Sequence, residues 1–170
     1  AVGWVRGAEA IELAAHDPQQ GVIFYTLPQK ESAAPRLDRD NSCLLCHQSW
    51  ETRGVPGMLV LSTFPMADDP HAYASGVFMN HTTPYAQRWS GWYVTRARGT
   101  VPHLGNVPIV VPADELKRPR SAVQLESLAG RFDLTGYPTA CSDIVALSVL
   151  THQAQAVNLI TRLGWEFRVA

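Results

Sequence analysis

Between Cys43 and Pro112 the chain is so densely set with glycine, proline, tryptophan and histidine that few helices or strands fit between them. Proline and glycine break regular structure, so the region predicts only a short helix at the Cys43 segment and strands near residues 58–62 and 92–95. A packed domain seldom carries so long an irregular stretch without a function, and loops of this length need something to wrap around. Regular structure is concentrated on either side. Residues 2–5, 11–14 and 22–27 are β-prone runs separated by Gly7 and by His16-Asp17-Pro18-Gln19-Gln20-Gly21, the pattern of an antiparallel meander. On the C-terminal side Ile144, Leu147, Leu150, Thr151, Ala154 and Val157 recur at helical spacing. That face predicts a helix over residues 143–163, capped by Ser142 and stopped by Gly164.

Strands first and one long helix last, without strand-helix alternation, is an α+β pattern. A length of 170 residues with 46% hydrophobic and 17% charged residues suits a single core-forming domain, 1–170. Its parts are a strand-rich lead (1–40), a loop-rich centre (41–112) and a helical part (113–170). The formal charge of −1 comes without a basic stripe or a block of like charge, which argues against a nucleic acid as partner. No uninterrupted apolar run of about 18 residues occurs, so no membrane span is expected. Both ends open and close on strand-like sequence without a lead-in, which predicts a processed piece or fragment of a longer protein.

Cysteine usage narrows the chemistry. Two of the three cysteines stand in Cys43-Leu44-Leu45-Cys46-His47, with a histidine directly behind the second. At this spacing two sulfurs reach the two vinyl groups of one haem while the next imidazole meets the iron, so the motif predicts one haem c, bonded at Cys43 and Cys46 and ligated by His47. A zinc site needs two further ligands of comparable spacing, and a redox dithiol usually opens a helix in a strand-helix-strand unit. Neither context is visible. A haem would also explain how so many loops stay ordered, since it supplies a large flat apolar surface.

The sixth iron ligand has many candidates: Met58, Met66, Met79, His71, His81, His103 and His152, with His16 remote. Met58 and Met79 have apolar neighbours and read first as core residues. His71 follows Asp68-Asp69-Pro70, an exposed turn signal. His81 and His103 lie in irregular segments bracketed by proline or glycine that could hold an imidazole at a fixed angle, and His152 sits within the predicted helix, where a satisfied core histidine is the default. Arg88, Arg96 and Arg98 stand close to Trp89, Trp92 and Tyr93, so an arginine such as Arg98 could pair with a haem propionate while Trp92 packs on the ring. Ordinary packing explains them equally well. Cys141 reads as a lone thiol.

The runs Thr52-Arg53-Gly54-Val55-Pro56-Gly57, His81-Thr82-Thr83-Pro84, Arg88-Trp89-Ser90-Gly91-Trp92-Tyr93-Val94-Thr95, His103-Leu104-Gly105-Asn106, Ser142-Asp143-Ile144-Val145-Ala146-Leu147 and His152-Gln153 with Asn158-Leu159-Ile160-Thr161-Arg162 resemble a group of large bacterial proteins carrying one Cys-x-x-Cys-His motif. The likeness spans nearly the whole chain, which would be the central part of such a protein. It implies a c-type cytochrome, export across the membrane and a periplasmic location. That family tends to have histidine where this chain has Arg98 and Cys141, so these two positions are poor choices for an essential ligand, and His81, His103 and His152 are the matching ones. His103 is the leading choice for the distal ligand.

The fold expected is not that of the small cytochromes c, which are all-helical with the haem motif near the start, whereas the strand-like residues 1–40 precede Cys43 here. The leading function is transfer of single electrons to redox protein partners, within a larger redox assembly. The competing reading is a haem enzyme of peroxidase type or a small-gas sensor, in which the distal position is open and His81 or His103 acts beside an arginine. A third is an assembly subunit whose Trp, Pro and Gly loops dock against other proteins.

Overall fold

The computed structural model describes residues 1–63, 76–97, 101–106 and 123–170. The chain is α+β, not all-α: the described residues form two antiparallel sheets and one long C-terminal helix. It forms two compact units, one of residues 1–59 with 154–170 and the other of residues 60–153.

In the first unit, strands β1 (Val2–Gly3), β2 (Ala10–Asp17), β3 (Gly21–Pro28) and β4 (Asp38–Arg39) form a sheet in sequence order, each pair antiparallel. This is the predicted meander. The β2–β3 register runs from Ala10 opposite Pro28 to Asp17 opposite Gly21. At that turn Asp17 Oδ1 accepts from the backbone N–H groups of Gln19 and Gln20, each at 2.8 Å. Gly21 adopts φ +89° and has no side chain to fill the space where Pro56 approaches, and the next residue, Val22, donates its N–H to Pro56 O at 2.9 Å. Val22 and Phe24 are the buried members of β3. A short helix, α1 (Leu44–His47), carries the cysteine motif, as its sequence predicts.

The long helix α2 spans Ile144–Val169 and contributes its second half to this unit. It departs from the sequence expectation at both ends. Asp143, rather than Ser142, caps it, with Oδ1 accepting from Val145 N–H at 2.9 Å and Ala146 N–H at 3.3 Å. Ser142 is occupied otherwise, its N–H donating to Thr95 Oγ1 and its carbonyl accepting from Thr95 N–H. Gly164 does not stop the helix. Glycine in a helix costs only about 1 kcal/mol relative to alanine, and the last turn is held by other contacts. Trp165 Nε1 and Arg168 Nη2 both donate to Gln19 O, at 2.9 and 2.8 Å, and Arg162 pairs with Glu166 one turn on. Among the described residues this is the one helix long and apolar enough to cross a membrane by length and composition. Its buried positions in the first unit are nonetheless largely polar: Asn158 and Thr161 carry side-chain hydrogen bonds to Met58 and His16, while Gln155 Oε1 is buried without a hydrogen-bond partner among the described residues.

In the second unit β5 (Leu61–Thr63) pairs antiparallel with β6 (Gly76–Phe78), Leu61 opposite Phe78. The predicted strand at residues 58–62 is thus displaced toward Thr63. The strand predicted at 92–95 does not form; the segment makes a single bridge, Thr95 to Asp143. Gly91 and Arg96, at φ +81° and +60°, turn the backbone out of extended geometry on either side. Asn106 then takes the part of a neighbouring strand, accepting from Val94 N–H and donating to Val94 O, both at 2.7 Å, and donating again to Val123 O. The core of this unit holds Met79, Trp89, Val94 and His103. A 3-10 turn covers Tyr85–Gln87.

Candidate functional site

The motif is delivered by a turn that its own side chains build. Asp40 Oδ1 accepts from both the N–H (2.9 Å) and the hydroxyl (2.6 Å) of Ser42, which bends the chain directly before Cys43. Cys43 has helical dihedrals at the N-cap, and its carbonyl accepts from the N–H groups of Cys46 and His47. The two cysteines and the histidine therefore share one helical turn. None of the cysteines is disulfide-bonded. Cys43 is half-buried and Cys46 exposed.

Residues 49–57 form a loop that returns the chain to His47. Thr52, fully buried, accepts from Ser49 N–H and donates to Ser49 O, and Arg53 and Gly54 adopt φ +63° and +73°. Glycine suits this conformation and arginine adopts it at some cost. Gly57 comes back opposite His47, its N–H donating to His47 O at 2.8 Å. In return His47 Nδ1 lies 3.0 Å from Gly57 O. A carbonyl only accepts, so Nδ1 carries the proton and the neutral ring presents an unprotonated Nε2. That is the tautomer a metal-ligating histidine needs, with a backbone carbonyl as the partner that orients it. The Phe24 ring packs 4.6 Å from the His47 ring, tilted by 48°, and supplies an apolar wall.

The carbonyl that orients His47 is itself held. Asn158 on α2, fully buried, accepts from Met58 N–H at 2.9 Å and donates to Met58 O at 2.8 Å, clamping the residue after Gly57. A side chain at Gly57 would collide with the Asn158 carboxamide and press on Thr52. Phe24, Gly57 and Asn158 are not among the site residues expected from the sequence. The one signal that could have found them is an asparagine in the middle of an apolar helical face, a position that calls for a specific partner.

Burial, reinforced by the carboxylates of Asp40 and Glu12, pushes the Cys43 thiol above its ordinary value. Reactive dithiols and metal-binding thiols have the opposite tendency, toward the thiolate. Among the described residues no group of three or more His, Cys, Asp or Glu side chains is placed to hold one metal ion. The nearby recess lined by Val22, Phe24, Arg39, Asn41, Leu44 and Pro56 has a volume of only about 20 Å³. Leu45 and Trp50, each 88% accessible, flank the motif on the outside.

The remaining sequence candidates fall elsewhere. Met58 belongs to the same unit as the motif and is half-buried, with its main chain held by Asn158. Arg98, Met66 and His71 lie outside the described residues. Trp92 donates its indole N–H to Leu61 O at 2.7 Å. Met79 is fully buried and its sulfur accepts from Trp89 N–H, a core role. Arg88, also buried, donates to His81 O at 2.9 Å and Thr83 O at 2.6 Å while lying over the Tyr85 ring, so it braces a loop.

His103 is 1% accessible, and Gly105 N–H donates to its Nδ1 at 3.1 Å. The neutral ring therefore carries its proton on Nε2, which finds no hydrogen-bond partner among the described residues. Burial lowers its pKa. Nε2 can bond to a metal only if the proton moves to Nδ1, where the Gly105 N–H already points. His81 and His152 are both exposed and stand together, ring centroids 5.2 Å apart.

Compared with protein-family models, curated proteins and solved structures, the chain matches none.

Proposed function

We propose that this chain is a c-type haem protein that carries single electrons, with the haem bonded through Cys43 and Cys46 and its iron held by His47. The observation that carries the reading is the His47 Nδ1 contact with Gly57 O at 3.0 Å, which leaves Nε2 free in the tautomer an iron ligand requires. The shared helical turn of Cys43, Cys46 and His47 and the apolar Phe24 wall support it further. Bound haem supplies a reversible iron couple whose potential depends on axial ligands, burial and hydrogen bonding. This chain's residues would orient the proximal imidazole through Gly57 and exclude water from one side with Phe24. An exposed Cys46 between the exposed Leu45 and the half-buried His47 suits exchange of electrons with a protein partner at the surface. Redox partners, a larger complex and a periplasmic setting belong to the same proposal, as does a supporting part for Trp92 and Arg98.

One observation favours a second reading, a haem with an open distal face that binds a small ligand. His103, the leading distal candidate, has Nδ1 engaged by Gly105 N–H and its proton on Nε2, an arrangement it would have to give up before it could ligate. His81, His152 and Met58 are the alternatives.

The test is an absorption spectrum of the purified protein, oxidised and reduced, then reduced under carbon monoxide. A haem that resists acid extraction in the natural chain and is lost from Cys43→Ala/Cys46→Ala supports covalent attachment. Low-spin spectra indifferent to carbon monoxide support electron transfer, and rapid carbon monoxide binding supports the open site. Absence of haem after expression with a haem-attachment system refutes both.

A further inference from the structure

His81 and His152 come from distant parts of the second unit and meet on its surface. The two rings have centroids 5.2 Å apart and planes crossed at 70°. With metal–nitrogen bonds of about 2.0–2.1 Å, two imidazoles sharing one tetrahedral ion have centroids about 5.2 Å apart, a spacing that a chelate shares with an edge-to-face ring contact.

Neither ring's backbone is free to wander. His81 lies in a turn where Asn80 Oδ1 accepts from the N–H and hydroxyl of Thr82, and the buried Arg88 guanidinium holds the carbonyls of His81 and Thr83. His152 is carried by α2, and one turn earlier Ser148 Oγ lies 3.5 Å from Tyr85 Oη, a second contact between the same loop and the same helix. Both histidines are exposed, so an ion can reach them without a rearrangement.

We propose that His81 and His152 form a two-histidine site for an exchangeable divalent ion of imidazole preference, Cu2+ or Zn2+. Imidazole suits these ions, and Cu2+ stands highest in the affinity order. Among the described residues no third His, Cys, Asp or Glu joins the pair, so water or a small anion completes the coordination. Both histidines lie in the second unit and the Cys43 motif in the first, and as ligands of this ion they would not serve a haem iron.

The experiment is titration of Zn2+ into the full chain by calorimetry after alkylation of free thiols, which removes Cys43, Cys46 and Cys141 from consideration whatever their state. One ion per chain is expected, with affinity reduced at least about tenfold in His81→Ala and in His152→Ala, and unchanged in His16→Ala. Because both rings are exposed, these variants should keep the natural circular dichroism. Substoichiometric Cu2+ should broaden the ring-proton resonances of His81 and His152 together. Zn2+ affinity that survives in the double variant, absence of binding, or broadening of only one of the two rings would overturn the proposal.

Discussion

Replacing Asn158 with alanine removes the carboxamide that satisfies both main-chain polar groups of Met58, one as acceptor at 2.9 Å and one as donor at 2.8 Å. The side chain is fully buried, and both bonds are partly shielded from water. A buried polar group left without a partner costs about 1–3 kcal/mol, and two such groups with partial access to water place the expected loss at about 2–4 kcal/mol. Asn158→Asp should be intermediate, since it keeps an acceptor for Met58 N–H but sets a carboxylate against Met58 O. The consequence reaches the motif, because Met58 follows the residue whose carbonyl accepts from His47. Urea unfolding should show a lower midpoint with an unchanged slope. Hydrogen exchange should speed up at the Gly57 N–H and the His47 ring N–H, while amides of β5 and β6 keep their protection. A loss below about 0.5 kcal/mol, the range of an ordinary surface substitution, would refute the clamp as a support for this site.

Two further outcomes rest on His103 and on the start of α2. Burial holds His103 below its ordinary value of 6.5, so the unfolded chain takes up a proton before the folded one does. Its contribution to stability is therefore complete above pH 6.5 and declines as pH falls from there toward the lowered folded value; His103→Gln should flatten that part of the stability–pH curve, and an unaltered curve would contradict the assignment. In α2, Asp143→Ala should cost about 1 kcal/mol and Asp143→Asn much less, because asparagine keeps the acceptor that caps Val145 and Ala146. The Arg96 guanidinium, 3.9 Å from Asp143 and well exposed, should add little to either value, which thermal unfolding of Arg96→Ala measures directly.

The meander, the short helix at Cys43 and the long final helix were legible in the sequence because each depends on local signals. β-prone runs bounded by Gly7 and the Asp17–Gly21 turn specify β2 and β3 whatever lies beyond them, and an apolar stripe at helical spacing specifies α2. Where competing partners decide, local signals failed. Ser142 is a good cap by type, but its main chain is tied to Thr95 and the side chain that caps is that of Asp143. Gly164 is a good stop by type, yet Gln19 O gathers Trp165 and Arg168 from beyond it. Residues 92–95 are β-prone, yet Asn106 fills the hydrogen bonds of Val94, and Ser142 and Ile144 those of Thr95, in place of a strand.

The sequence by itself determined the α+β class and the turn on which Cys43, Cys46 and His47 sit, since a three-residue constellation at fixed spacing is a property of adjacent positions. Only the tertiary structure decided which nitrogen of His47 is free, that Phe24 walls it, and that Asn158 steadies the carbonyl it bonds. Those contacts join residues far apart in the chain, where no spacing rule operates and the outcome depends on which buried polar group finds which partner.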